Sequence, residues 1–343
     1  MALLAIQTQG AVLTAQRGAL VVRIEGQRVR RIPPHEVDEV HLYGDVELNA
    51  AARNLLLRSG IEVILLSARG MYLGRLVPSL GGQAVRRQAQ YRWLGEEATA
   101  LAFARAIVVA KLTGQRRVLK EVEDRPTQVQ DALVALRRLR TQAGEASDIE
   151  VIRGVEGMAA RLYYAGYAAT LRHPELTMNG RSRRPPRDEV NACLSFCYML
   201  MLRRVESAIR RSGLDVYLGA LHGTSRGAPA LALDLVEELR PVVDRMVRTL
   251  VNRRQLSPGD FESPRGMLYL GAEDEDDAGP GVHLAATGRE VVLRALGAEW
   301  RRRVADPWGQ GRVELTEALY RHAMRVSELF AGERTSYQPL ELR

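Results

Sequence analysis

Cysteine is almost missing: the 343 residues hold two, Cys193 and Cys197. Their spacing within "NACLSFCYML" puts both on one face of an apolar helix, and no second Cys or His pair follows to complete a zinc site. Buried free thiols are expected, and nothing points to an oxidising compartment. Aromatic residues make up only 5% of the chain, so aliphatic side chains must fill the core. The opening "MALLAIQTQGAVLTAQRG" lacks a basic stretch ahead of its apolar residues, so it does not read as a signal peptide. No apolar run is long enough to span a bilayer. The expectation is a cytoplasmic protein without membrane contact. A nucleotide-triphosphate loop is not seen either.

What the chain has in excess is positive charge. Lys and Arg number 49 against 41 Asp and Glu, a net charge of +8 with a pI near 9.8. Most of the basic residues are Arg, whose planar fork pairs with phosphate oxygens, and a basic surface concentrates polyanions. Nucleic acid is therefore the expected partner.

Two regions follow one another. Up to about residue 82 the chain is strand-rich. "GALVVRIEGQRVRRIPP" alternates between Gly and a Pro pair and reads as a hairpin. "VDEVHLYGDVELN" adds a β-branched run, "NAAARNLLLRSG" a short helix ending before Gly60, and "IEVILLSARGMYLGRLVP" two strands around a Gly turn. From about residue 83 helical periodicity takes over, first through "AVRRQAQYRWLGEEATALAFARAIVVAKLTGQRRVLKEV". It then recurs over about 126–143, 148–171, 188–212, 230–255 and 315–330. The acidic tract "GAEDEDDAGPG" lacks the ordered ligand spacing of a calcium loop and is expected as the solvated tip of a hairpin between "MLYL" and "VHLAA". The fold class expected is α+β: a small N-terminal β-domain, 1–82, and a larger, mostly α-helical domain, 83–343.

The stretch "LHGTSRGAPALALDLVEELRP" poses the chemical question. At helical spacing Leu231, Leu235, Leu239, Val242 and Met246 form one apolar stripe. Asp234 and Glu237 lie together off that stripe, Glu238 lies at its edge, and His222 stands across the turn. Like charges this close repel. A hard divalent cation would offset the repulsion, and an imidazole among carboxylates favours Mn²⁺ over Mg²⁺. An Asp favoured by the helix dipole beside two solvated Glu is the plainer explanation, and this stretch alone leaves both open. In "RGVEGMAARLYYAGY", Glu156 precedes small residues that let a helix or a ligand come close. In "NGRSRRPPRDEVNACLSFCYMLM", an Arg-rich, Pro-stiffened loop suits phosphate binding, and Asp188 can cap the helix that follows.

These three blocks, in this order, resemble the signature blocks of the CRISPR-associated spacer-acquisition integrase, the near-universal Cas protein of the adaptation step. "RIPPHEVDEVHLYGDVELNAAARNLLLRSGIEVILLSARGMYLGRL" resembles its N-terminal β-domain. "VRRQAQY", "AIVVAKLTGQRRVL", "SPGDFE" and a late hairpin "YLGAE…VHLAATGREVVL" also fit, so the resemblance covers nearly the whole chain. It implies a metal-dependent DNA integrase and endonuclease that joins the 3′-OH ends of captured DNA to the CRISPR repeat by transesterification. It implies Glu156, His222 and Glu237 as catalytic metal ligands for Mg²⁺ or Mn²⁺, with Asp234 a further acid beside the metal. Glu238 is the surplus acid, expected to be solvated or paired. The implied partners are DNA, a second copy of the chain in a homodimer, and a small ferredoxin-like companion Cas subunit. Arg181, Arg183, Arg184 and Arg226 are the expected phosphate contacts. Glu189 stands where many relatives carry Pro, a change compatible with a helix start. The rival functions are a structure-selective metallonuclease acting on branched DNA and a non-catalytic DNA-binding scaffold.

Overall fold

Apolar, largely aliphatic residues build most of the opening strands. The computed structural model describes residues 2–79, 83–183, 185–223, 227–263, 281–306, 308–309, 311–340 and 342. Strands β1 (Ala2–Ile6), β2 (Val12–Gln16), β3 (Ala19–Ile24), β4 (Gln27–Ile32), β5 (Val37–Tyr43) and β6 (Glu47–Leu48) precede helix α1 (Ala50–Arg58). Strands β7 (Glu62–Leu66) and β8 (Tyr72–Leu76) follow it. The expected hairpin is β3–β4, and the strands around the Gly turn are β7–β8.

These strands form two sheets, ordered β1-β5-β7-β8 and β4-β3-β2-β6. In the first, β1, β5 and β7 run parallel and β8 antiparallel. Leu13 and Leu20 of one sheet, Val40 and Val63 of the other, and Leu56 of α1 are fully buried in one cluster. Burying such a side chain contributes about 1.5–3 kcal/mol, so this aliphatic cluster is the core that holds the sheets and helix together. Asn49 caps α1 by accepting the Ala52 N–H at 2.9 Å.

Helices dominate the rest: α2 (Ala84–Gly95), α3 (Glu97–Lys120), α4 (Thr127–Glu145), α5 (Ile149–Ala168), α6 (Glu189–Arg211), α7 (Ala230–Val236) and α8 (Arg240–Asn252). Short strands β9 (Phe261–Glu262) and β10 (His283–Leu284) follow, then α9 (Ala286–Arg301), β11 (Arg303–Ala305), β12 (Arg312–Glu314) and α10 (Leu315–Phe330). Asp148 and Asp188 cap α5 and α6, accepting the N–H of Val151 at 2.9 Å and of Asn191 at 2.7 Å. Cys193 and Cys197 are buried free thiols on α6.

The structure departs from the expectations in four places. The long period after residue 83 is two helices, parted at Gly95 and Glu96. The span 230–255 is also two helices, α7 and α8. Pro241 lies in the first turn of α8, and its ring would clash with the carbonyl of residue 237 in a continuous helix. "VHLAATGREVVL" is strand only over the two residues of β10 and then becomes α9, whose Val292, Leu296 and Trp300 are buried at a spacing of four. The fourth concerns domains. The chain divides into Met1–Gly81 with Leu284–Arg302, and Gly82–His283 with Arg303–Arg343. The segment carrying α9 thus rejoins the first unit, where the Arg289 Nε–H donates to Gln7 Oε1 at 3.1 Å. The acidic tract and its "MLYL" flank, within 264–280, lie outside the described residues.

Candidate metal centre in the helical unit

The first side chain of the site comes from α5. One turn before it, Arg153 donates through Nε to the carbonyl of Leu221 at 2.8 Å, tying α5 to the loop that carries His222. Glu156 follows three residues later on the same face of the helix. Of the small residues near it, Ala159 is buried in packing, but a Cβ at Gly154 or Gly157 would meet nothing within 4 Å.

The loop holding His222 is shaped by Asp234. This carboxylate is wholly buried and accepts the backbone N–H groups of Ala220 at 2.7 Å, Leu221 at 3.1 Å and His222 at 2.9 Å. Its Oδ1 also lies 2.7 Å from His222 Nδ1. An acceptor-only carboxylate requires a proton on Nδ1, which leaves Nε2 turned toward Glu237 Oε1 at 3.9 Å. Gly219 makes the seat possible, because a Cβ there would lie 2.6 Å from Asp234 Oδ2 and 2.7 Å from the Ala230 carbonyl carbon.

Glu237 sits at the break between α7 and α8. Its Oε2 lies 2.6 Å from Lys111 Nζ and 3.0 Å from Arg240 Nε. Lys111, on α3, also bonds Glu156 Oε1. Burial works against the Glu237 carboxylate, but Arg240, Lys111 and His222 outweigh it and hold its pKa down at about 2. Burial likewise opposes the Lys111 ammonium, and Glu237 and Glu156 outweigh it, leaving its pKa raised. Helices α3 and α8 come close here because Gly114 faces the Pro241 ring, 2.7 Å from where a Cβ would stand.

Lys111 thus stands between Glu156 and Glu237, and His222 Nε2 lies 3.9 Å from Glu237, so three separate segments bring these side chains to one region. Among the described residues, no group of three or more His, Cys, Asp or Glu is arranged to hold a metal as the side chains lie. The donor set nonetheless fits a hard divalent ion. It offers two carboxylates and an imidazole nitrogen, and that imidazole is oriented by a buried carboxylate on its other nitrogen, as metal-binding histidines are. Asp234 is thus the orienting group rather than a fourth oxygen turned to the same point.

Glu238, the surplus acid, is buried and paired: it bonds the Tyr337 hydroxyl and accepts the Leu340 N–H at 2.7 Å. The tyrosines of α5 are buried too. Tyr163 donates to Asp244 Oδ2 at 2.8 Å, Tyr198 to Oδ1, and Tyr167 to the Asp244 carbonyl at 2.9 Å. Burial raises the Asp244 pKa to about 6, although the Tyr198 and Tyr163 hydroxyls and the Arg240 and Arg181 charges pull the other way.

Of the four expected phosphate contacts, Arg183 is exposed. Arg181 turns inward: it donates to Asn191 Oδ1 at 2.8 Å and Ser195 Oγ at 2.9 Å and lies over the rings of Tyr164 and Tyr198. Arg184 and Arg226 lie outside the described residues. Sequence reasoning missed Lys111, Arg153 and Arg240. One signal was available: Lys111 and Lys120 are the only lysines in a chain otherwise basic through Arg.

The family model for "CRISPR associated protein Cas1" matches residues 4–277. The CRISPR-associated endonuclease Cas1 1 of Thermus thermophilus is 35% identical, over 97% of each chain. A casposase solved bound to an integration product superposes with a TM-score of 0.82 at 20% identity, covering 98% of this chain and 93% of that one. A chain of a Cas6-RT-Cas1–Cas2 complex gives a TM-score of 0.81 at 23% identity; the match covers 99% of this chain and 36% of that longer one.

Proposed function

This chain belongs to the Cas1 family of CRISPR-associated proteins, and from that premise we propose that it is a metal-dependent DNA endonuclease and integrase of CRISPR adaptation. The observation that carries the proposal is that Glu156 and Glu237 share one ammonium with His222 beside Glu237, its other ring nitrogen fixed by Asp234. These three side chains would hold Mg²⁺ or Mn²⁺. When bound, the ion supplies Lewis-acid polarisation of a scissile phosphate and helps orient the attacking oxygen.

The rest of the work falls to the chain's own residues. Phosphoryl transfer needs positioning and charge neutralisation more than covalent catalysis. Asp234 keeps Nε2 of His222 aimed at the site, and Arg240 adds fixed positive charge beside it. The open space at Gly154 and Gly157 gives a DNA backbone room to approach Glu156. Arg183, with Arg184 and Arg226, contacts phosphates, while Arg181 braces the loop from inside. The attacking group is the 3′-OH of a short captured DNA, and the target is a phosphodiester at the repeat boundary. The casposase that shares this fold was solved on an integration product, which supports strand transfer over simple hydrolysis. The proposed assembly is a homodimer joined to a small companion Cas subunit. Support for the companion subunit is the chain of similar fold solved in a Cas6-RT-Cas1–Cas2 complex.

The test is joining of a short duplex with free 3′-OH ends to a repeat-bearing plasmid, with divalent ion and companion subunit present. Joining should stop when the 3′-OH is blocked, and His222→Ala should abolish it while DNA binding survives, because Arg–phosphate contacts supply most of the affinity. Joining with a blocked 3′ end would refute the transfer mechanism. Cleavage indifferent to the 3′ end would favour a plain nuclease, and binding without chemistry in the wild type a scaffold.

A further inference from the structure

Lys111 is more than a core ion pair. Its side chain is 4% exposed, and its ammonium touches both Glu156 and Glu237, the two carboxylates that the proposed metal must share. Glu237 does not depend on it for charge balance, since Arg240 Nε lies 3.0 Å from the same oxygen. Glu156 has no other ion-pair or hydrogen-bond partner among the described residues. The ammonium therefore ties a ligand on α5 to a ligand at the α7–α8 break, and it does so at the point where a cation's oxygen ligands have to converge.

Lys111 and Arg240 balance the charges of Glu156 and Glu237, so these two carboxylates do not need a divalent ion to offset each other. An ion entering between the carboxylates meets a like-charged ammonium already 2.6 Å from a carboxylate oxygen of Glu237. The lysine stem is flexible and its three donors are not tied to one geometry, so the ammonium can be driven off, whereas the backbone-clamped Asp234 cannot.

We propose that Lys111 is a positioning residue that stands in for the metal: it holds Glu156 and Glu237 together in the metal-free protein and competes with the divalent ion for them. The proposal rests on the assignment of Glu156, His222 and Glu237 as metal ligands. It implies that the lysine sets the metal affinity below what the three ligands alone would give, at the benefit of a preassembled site.

Isothermal titration of the full-length protein with Mn²⁺ tests this, comparing wild type, Lys111→Met and Lys111→Gln. With the ammonium removed, both variants should bind Mn²⁺ about ten-fold tighter than wild type or more. Their melting temperature without metal should fall, and Mn²⁺ should raise it by more than it raises the wild type's. Lys111→Arg, which keeps the charge, should not bind tighter than wild type. Lysine in a merely structural role predicts the opposite sign, weaker metal binding with lost stability. Unchanged or weaker Mn²⁺ affinity in whichever neutral variant keeps a native circular-dichroism spectrum would overturn the proposal. Absence of Mn²⁺ binding in the wild type and in both neutral variants would instead overturn the metal-centre assignment beneath it.

Discussion

Asp244 shows how a residue outside the proposed chemistry still carries a cost. It is buried among Tyr163, Tyr167 and Tyr198, and burial raises its pKa from 3.8 to about 6. In the unfolded chain the group ionises near its ordinary value. As pH rises from about 4 to 6 the unfolded state therefore loses its proton first, and the stability this group gives at low pH is lost. A shift of roughly two units corresponds to about 3 kcal/mol. Urea unfolding at several pH values, compared with Asp244→Asn, should show wild-type stability falling relative to the variant by about that amount between pH 4 and 7. A difference that stays flat or grows with pH would contradict the assignment. At this scale the sequence revealed the groups whose chemistry is distinctive: His222 is one of only six histidines, and Glu156 and Glu237 stand in recognisable blocks. The orienting role of Asp234 was hidden, because it depends on three backbone N–H groups that only the folded loop brings together. Lys111 lies in a helix whose pattern announces nothing but core, and only the rarity of lysine in the chain marked it.

Elements place these residues through two tight approaches and one break. The break at residues 237–239 turns Glu237 toward α3, and Pro241 marked it in the sequence, although the apolar period runs straight through. The approaches depend on glycine: Gly114 under Pro241, and Gly219 under Asp234. Gly219→Ala should push the loop off Asp234, because the nearest atoms are buried carboxylate and backbone, which cannot give way cheaply. We expect a loss of about 1–3 kcal/mol, the cost of leaving buried polar groups poorly satisfied, together with a large drop in DNA joining. Thermal unfolding and the joining assay measure both. Wild-type stability and joining in Gly219→Ala would show that the loop is not seated as described. Helices α4, α5, α6 and α10 were legible because their apolar period is long and their ends are marked by Asp, Gly or Pro. Helix α9 was not, because Gly288 and the adjacent Val291 and Val292 resemble strand punctuation, and its burial emerges only when the chain rejoins the first unit.

At the scale of the molecule, a strand-rich unit and a helical unit were both readable from the change in periodicity near residue 82. The return of 284–302 to the first unit was not, since local pattern carries no record of which core a helix joins. No helix among the described residues is long and apolar enough to cross a membrane, and the excess of Arg suits a polyanion partner. The whole account rests on one claim, that Glu156, His222 and Glu237 take a single divalent ion between them. Anomalous diffraction from crystals of the protein soaked in Mn²⁺ tests it most directly. The account predicts one Mn²⁺ peak at about 2.0–2.6 Å from a carboxylate oxygen of Glu156, a carboxylate oxygen of Glu237 and His222 Nε2, with the Lys111 ammonium moved away from both glutamates. Mn²⁺ bound elsewhere, with Lys111 still bridging Glu156 and Glu237, would contradict it.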